Sequence, residues 1–194
     1  MIKLGFLVSN NGTSMRAIVG AIEAGTLDAE ARLVVSNRRE APALELARDR
    51  GIAAQVIPTL PDPERADARL ASALVDAGAE WVILSGYLRK LGPRTLRAFA
   101  GRILNIHPAL LPRHGGRGMY GERVHEAVIA AGDLVTGASV HLVDAEYDHG
   151  EVLARVEIPV VPGDTPSSLQ HRVMAAEPSL LLSVLQSIAS GCSV

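Results

Sequence analysis

Cysteine is nearly missing from this 194-residue chain. Cys192 is the only one, so no intrachain disulfide and no cysteine-based metal cage can form. Neither sign of charge dominates: 19 basic and 21 acidic residues leave a formal charge of −2 at pH 7, without long runs of either sign. That balance offers no non-specific grip on nucleic acid or anionic lipid. Long apolar runs are missing too. No stretch is long enough to span a bilayer, and the apolar start Met1–Val8 is too short and wrongly flanked for a signal peptide. Repeats, low-complexity tracts and linker-like segments are likewise missing. What remains, 48% hydrophobic and 21% charged, is the composition of a globular protein. The length suffices for one sizeable core, and the expectation is a single domain over residues 1–194.

Apolar bursts alternate with amphipathic stretches. Leu4–Val8, Leu33–Val35, Ala54–Ile57, Trp81–Leu84 and Arg102–Ile106 read as short buried strands. Met15, Ile18, Val19 and Ile22 follow the i, i+3, i+4, i+7 spacing of one apolar helix stripe. Ala41–Arg50 and Pro63–Ala77 read as further helices, each closed by a glycine (Gly51, Gly78) as a C-terminal cap requires. This alternation predicts an α/β, Rossmann-like fold: a mostly parallel twisted sheet with helices on both faces. After His107 the texture changes. Pro108–Gly121 holds two prolines and four glycines and reads as a long, mobile loop. Tyr120–Ala131 reads as a helix ended by Gly132, and Ala138–Val143 with Val152–Ile158 as an antiparallel C-terminal strand pair. A last helix is expected from about Ser167 to Ile188, kinked or divided by Pro178.

Three segments can carry chemistry. Ser9-Asn10-Asn11-Gly12-Thr13-Ser14 opens the first helix, where free N–H groups and a glycine suit a phosphate. A plain helix cap by Thr13 or Ser14 is the competing reading. The segment is neither G-x-G-x-x-G nor a Walker motif, so neither a dinucleotide nor a nucleoside triphosphate is implied. The second segment, Leu104-Asn105-Ile106-His107-Pro108, ends the fifth strand. Asn105 and His107 share one face there; an amide can hold a developing oxyanion and an imidazole can move a proton near neutral pH. Taken alone, such a histidine is more often a satisfied strand-end residue. The third is Asp144-Ala145-Glu146-Tyr147-Asp148-His149-Gly150. Asp144 and Glu146 read as solvated turn acids, whereas Asp148, before a tight bend at Gly150, can meet His107 if the hairpin lies over the sheet end. Ser139 and His141 share a strand face and either line the same cleft or support it.

Asn105-Ile106-His107-Pro108-Ala109-Leu110-Leu111-Pro112, Ser139-Val140-His141 and Tyr147-Asp148-His149-Gly150 resemble the folate-dependent formyltransferases. Ser9–Ser14 and Ser85-Gly86-Tyr87-Leu88-Arg89 extend the resemblance, which is nearly collinear from Ile2 to about Leu182. It implies transfer of the formyl group of 10-formyltetrahydrofolate, a co-substrate, to the amine of glycinamide ribonucleotide in purine biosynthesis, with no metal. By motif, Asn105, His107 and Asp148 would be the catalytic set. Gly12, Thr13 and Ser14 would hold the substrate phosphate, Glu177 the ribose hydroxyls, and Gly86 with the Leu88 backbone would border the glycyl end. Leu84, Arg89, Lys90, Leu91, Val143, Asp144 and Tyr147 would surround the pterin. The implied partners are small molecules, not nucleic acid or membranes, and the implied enzyme is a cytoplasmic monomer or homodimer.

Some positions depart from the commoner pattern of that family. In the phosphate loop Asn10 stands in place of glycine and Ser14 in place of asparagine. Lys90 stands where an apolar residue is common, Met174 where a polar one is, and Pro178 directly follows Glu177. Other functions fit parts of the pattern: formyl transfer to another amine, such as an amino sugar or specialised metabolite, or hydrolysis of formyltetrahydrofolate. Family members acting on methionyl-tRNA add a carboxy-terminal domain and a basic surface, and the expectation here is a small acceptor. A non-enzymatic nucleotide-binding module would use Ser9–Ser14 and leave Asn105, His107 and Asp148 with no reason to converge.

Overall fold

The computed structural model describes residues 1–192. The apolar bursts become strands β1 (Ile2–Val8), β2 (Ala29–Ser36), β3 (Ala53–Val56), β4 (Trp81–Ser85) and β5 (Ile103–His107). These five pair in parallel, and β6 (Val135–Leu142) and β7 (Val152–Pro159) add antiparallel pairs beyond them. The resulting sheet has seven strands in the order β3-β2-β1-β4-β5-β6-β7. The expected fold class is therefore observed. From β1 the chain winds outward to β3, then restarts at β4 beside β1. Such a reversal opens a crevice at the carboxyl ends of the central strands, the usual ligand position in open α/β sheets.

Helices α1 (Thr13–Glu23), α2 (Pro42–Asp49) and α6 (Pro166–Ala189) cover one face. Their Met15, Ile18, Leu44 and Leu181 pack with Leu4, Phe6, Val8, Ile83 and Leu104 of the sheet. The alternate strand residues Leu7, Val82, Leu84 and Ile103 pack with Leu70 and Leu74 of α3 (Pro63–Asp76) and with Phe99, at the end of α4 (Pro93–Ala98). Helix α5 (Glu122–Ala130) lies against α6, joining Val128 to Leu169 and Val173. Gly51 and Gly78 take φ values of 68° and 70°, the left-handed turn that ends α2 and α3 as expected.

Helix α4 has no counterpart in the sequence reading. Its six residues carry no legible period, and its N-terminus is satisfied from a distance. Asp67 of α3 accepts from Arg94 N at 2.8 Å, from Thr95 N at 3.1 Å and from Thr95 Oγ1 at 2.6 Å. Gly92 makes this possible, because a Cβ there would lie 2.3 Å from the Asp67 carboxyl carbon.

Of the two outcomes expected at Pro178, division is not observed: α6 is one continuous helix of 24 residues. Proline in a helix interior forfeits the hydrogen bond to the carbonyl four residues back, here Met174, and costs about 3 kcal/mol. Burial of Leu169 and Val173 before it and Leu181, Val184 and Leu185 after it outweighs that cost, at roughly 1.5–3 kcal/mol per side chain. Pro178→Ala is accordingly expected to stabilise the protein by about 1–3 kcal/mol in urea unfolding. An unchanged or lower midpoint would contradict the cost assigned to Pro178.

Candidate active site

Strands β5 and β6 bring the site together. Their antiparallel register sets Asn105 opposite His141 and His107 opposite Ser139. Ser139 lies buried beneath the cleft, accepting from Leu111 N at 3.1 Å and donating to Ala109 O at 2.7 Å. It supports the chain after His107, while His141 stands in the cleft itself. The segment after β6 returns Asp148 to the sheet end. Asp148 takes a left-handed backbone, φ 54°, which aspartate tolerates better than most side chains. At Gly150 a Cβ would sit 1.9 Å from Leu142 O, so only glycine lets this turn close against β6.

The polar geometry assigns most protons. His107 Nε2 lies 2.8 Å from His114 O. A carbonyl only accepts, so Nε2 carries the hydrogen, and Nδ1 is left 3.4 Å from Asp148 Oδ2. Burial pushes the His107 imidazole below its ordinary value near 6.5; Asp148 and the His114 carbonyl offset this only in part. The ring therefore rests neutral at pH 7. His141 donates from Nδ1 to Leu142 O at 2.8 Å. Its Nε2, when neutral, accepts from Asn105 Nδ2 at 3.1 Å; when protonated, it faces Asp148 Oδ1 at 3.5 Å. Burial raises the Asp148 carboxyl, but His141, His107 and the Gly116 N–H at 3.0 Å outweigh it and hold the group ionised below the ordinary range.

Asn105, His107, Asp148 and His141 line one cavity of about 880 Å³. Leu84, Gly86, Leu88, Arg89, Lys90, Leu91, Val143, Asp144 and Tyr147, all expected near the ligand, line it too. Leu84 and Leu91 are buried at its floor, and Lys90 Nζ stands 5.5 Å from the centre of the exposed Tyr147 ring. The Leu88 amide is already committed, donating to Ser9 Oγ at 2.9 Å, so the backbone contact expected there falls to its carbonyl. Asp144 accepts from Glu146 N at 2.8 Å and pairs with His149 at 3.0 Å, the exposed turn network expected of it. Arg38, not anticipated, also lines the cavity and donates to Asn10 Oδ1 at 2.7 Å.

Four expected residues lie outside that lining: Gly12, Thr13, Ser14 and Glu177. Helix α1 begins without a side-chain cap, so the capping role weighed for Thr13 or Ser14 is not observed. Gly12 is the N-cap with φ 60°, and Met15 N is bonded to Ser85 Oγ at 2.9 Å. A Cβ at Gly12 would meet Ala43 Cβ at 3.0 Å, so this glycine serves packing whatever binds there. The long loop is less free than its composition suggests. Ser139, Asp148 and Arg155 hold Leu111 and Gly116, and Met119 N donates to Gly116 O at 3.1 Å.

Fold and cleft together define an open α/β protein whose sheet end gathers an amide, Asn105, and a carboxylate–imidazole pair, Asp148 and His107, in one cavity. The chain belongs to the formyl transferase family, whose model matches residues 2–185. It is 38% identical over 190 residues to the chloroplastic phosphoribosylglycinamide formyltransferase of Arabidopsis thaliana, covering 96% of this chain and 65% of that one. The chain thus spans just under two thirds of that relative's length. With the phosphoribosylglycinamide formyltransferase of Escherichia coli K12 it shares 33% identity, covering 95% of this chain and 86% of the other. Among solved structures, glycinamide ribonucleotide transformylase 1 from Symbiobacterium toebii superposes with a TM-score of 0.90 at 35% identity, over 98% and 89% of the two chains. Among the described residues no helix is long and apolar enough to cross a membrane.

Glu177 generates a pH prediction. Burial raises its carboxyl from an ordinary 4.5 to about 7. Between those values the folded state binds more protons than the unfolded state, so stability falls as pH rises through the window. Glu177→Gln is expected to match wild type in melting temperature below pH 4.5 and to exceed it above pH 7. Parallel melting curves across that range would contradict the assignment.

Proposed function

We propose that the protein transfers the formyl group of 10-formyltetrahydrofolate to the amine of glycinamide ribonucleotide, through one formyl transferase domain over residues 1–194. The carrying observation is the convergence of Asn105, His107 and Asp148 on one cavity, in a chain of this family. The substrate amine attacks the formyl carbon, and the formyl oxygen becomes an oxyanion. Asn105 Nδ2 has one N–H engaged by His141 and a second free for that oxyanion. Negative charge growing beside a buried neutral imidazole raises its proton affinity. His107 Nδ1 then takes the proton released by the amine, and Asp148 stabilises the imidazolium. When the bond from the formyl carbon to the folate nitrogen breaks, that proton passes to the leaving nitrogen. One proton leaves the amine and one arrives on the folate, so the step balances.

Leu84, Leu91 and Val143 supply an apolar slot for the pterin, with Arg89, Lys90, Asp144 and Tyr147 at its rim. The substrate phosphate is assigned to the Thr13 and Ser14 amides at the N-terminus of α1, beside Gly12, and the ribose hydroxyls to Glu177. Gly86 and the Leu88 carbonyl border the glycyl end. On this reading the enzyme works in the cytoplasm on small molecules, as a monomer or homodimer.

Steady-state formyl transfer tests the reading. His107→Ala or Asp148→Asn is expected to lower kcat by roughly two to four orders of magnitude, the worth of a positioned acid–base group. KM for either substrate should move by no more than about threefold, because neither side chain is assigned to binding. Near-wild-type turnover in either variant removes that residue from the mechanism. An unphosphorylated glycinamide riboside should be a far poorer acceptor, lacking the charge-assisted bonds of the dianion. Equal use of both acceptors would remove the phosphate assignment.

A further inference from the structure

His107 is held by a residue that touches none of the proposed reacting atoms. Its Nε2–H donates to the carbonyl of His114, and His114 has φ 53°, a left-handed conformation that costs a histidine free energy. Glycine would take that conformation freely, and the next two residues, Gly115 and Gly116, are glycines. What holds a histidine there is its side chain. His114 Nε2 donates to Asp133 Oδ2 at 2.6 Å, and Arg113 donates to Asp133 Oδ1 at 2.5 Å. Asp133 stands in the turn after α5, bonded through its own N–H to Val128 O, with its side chain only 9% exposed. Hydrogen bonding from His114 is the largest influence on its carboxyl and keeps it ionised.

We propose that the His114–Asp133 pair is a positioning device for His107. It keeps the His114 backbone left-handed, so that its carbonyl pins the proton on Nε2 and leaves Nδ1 as the ring's only working atom. The same turn delivers Gly116 N to Asp148 Oδ2 at 3.0 Å, so one anchored segment sets both members of the acid–base pair. His114 and Asp133 are thus positioning residues for the proposed reaction, acting through the carbonyl of one and the carboxylate of the other. The inference rests on the proposed role of His107, but its geometric half stands apart from any activity.

Two tether-breaking variants and one conservative variant test it. His114→Gly keeps the backbone conformation accessible while removing the tether, and Asp133→Ala removes the anchor. Each is expected to lower kcat about ten- to a hundredfold, the effect of a small misplacement of a reacting group, with KM for both substrates within about threefold. Asp133→Asn retains an acceptor for His114 and should keep kcat within about threefold of wild type. Nitrogen-15 NMR of the ligand-free protein gives the independent readout. The wild-type His107 ring should be a single Nε2–H form with a slowly exchanging proton, and both tether-breaking variants should lose that signature. Retained kcat in folded His114→Gly overturns the proposal, as does a fall in kcat with the Nε2–H signature intact. If wild type itself shows the signature but transfers no formyl group, the proposed function fails and the clamp does not.

Discussion

Asn105 of β5 lies directly opposite His141 of β6, and that single antiparallel register decides where Asn105, His107 and His141 can stand in the cleft. A slip of one residue would turn Asn105 and His107 to the other face, into the apolar layer that holds Leu104. The register is protected on both sides. Ser139 ties the chain after His107 to β6, and at Gly137 a Cβ would fall 1.8 Å from Val156 O, so β6 also packs against β7 in one way only. The sheet therefore delivers an amide and two imidazoles to one point before any ligand arrives.

Fixed backbone carbonyls then decide the protonation pattern. Leu142 O holds a hydrogen on His141 Nδ1, and His114 O holds one on His107 Nε2. The free nitrogens consequently point at Asn105 and Asp148, where proton transfer and oxyanion binding are proposed. Because the donors are set by main chain rather than by solvent, little reorganisation is needed during the proposed reaction, which is where electrostatic catalysis gains most. In that proposal burial of His107 serves the same end. It keeps the ring neutral until charge develops beside it.

The layered α/β fold was legible because its signals are local: apolar bursts, one 3.6-residue stripe, and glycines after α2 and α3. That Asn105, His107 and Asp148 face one cleft was legible as well, the first two from their shared strand face and the last from the bend at Gly150, whereas the roles proposed for them come from the resemblance to the family. What stayed hidden depends on distant partners. Helix α4 is capped by Asp67 from α3, and α6 survives Pro178 through five buried side chains along its length. Thr13 and Ser14 have the composition of a cap but are not used as one, because Gly12 turns the chain left-handed at that point. His114 and Asp133 carried no signal at all, since their pairing depends on where the turn after α5 falls in space.

The proposed chemistry is tested most directly by following the formyl carbon itself. Wild-type protein would be mixed with 10-formyltetrahydrofolate carrying carbon-13 in the formyl group and with glycinamide ribonucleotide, and observed by carbon NMR. The expected result is a resonance moving from the folate to the amide of the formylated ribonucleotide, with free tetrahydrofolate formed in equal amount. Appearance of labelled formate in place of the amide, or an unchanged folate resonance, would contradict transfer by Asn105, His107 and Asp148.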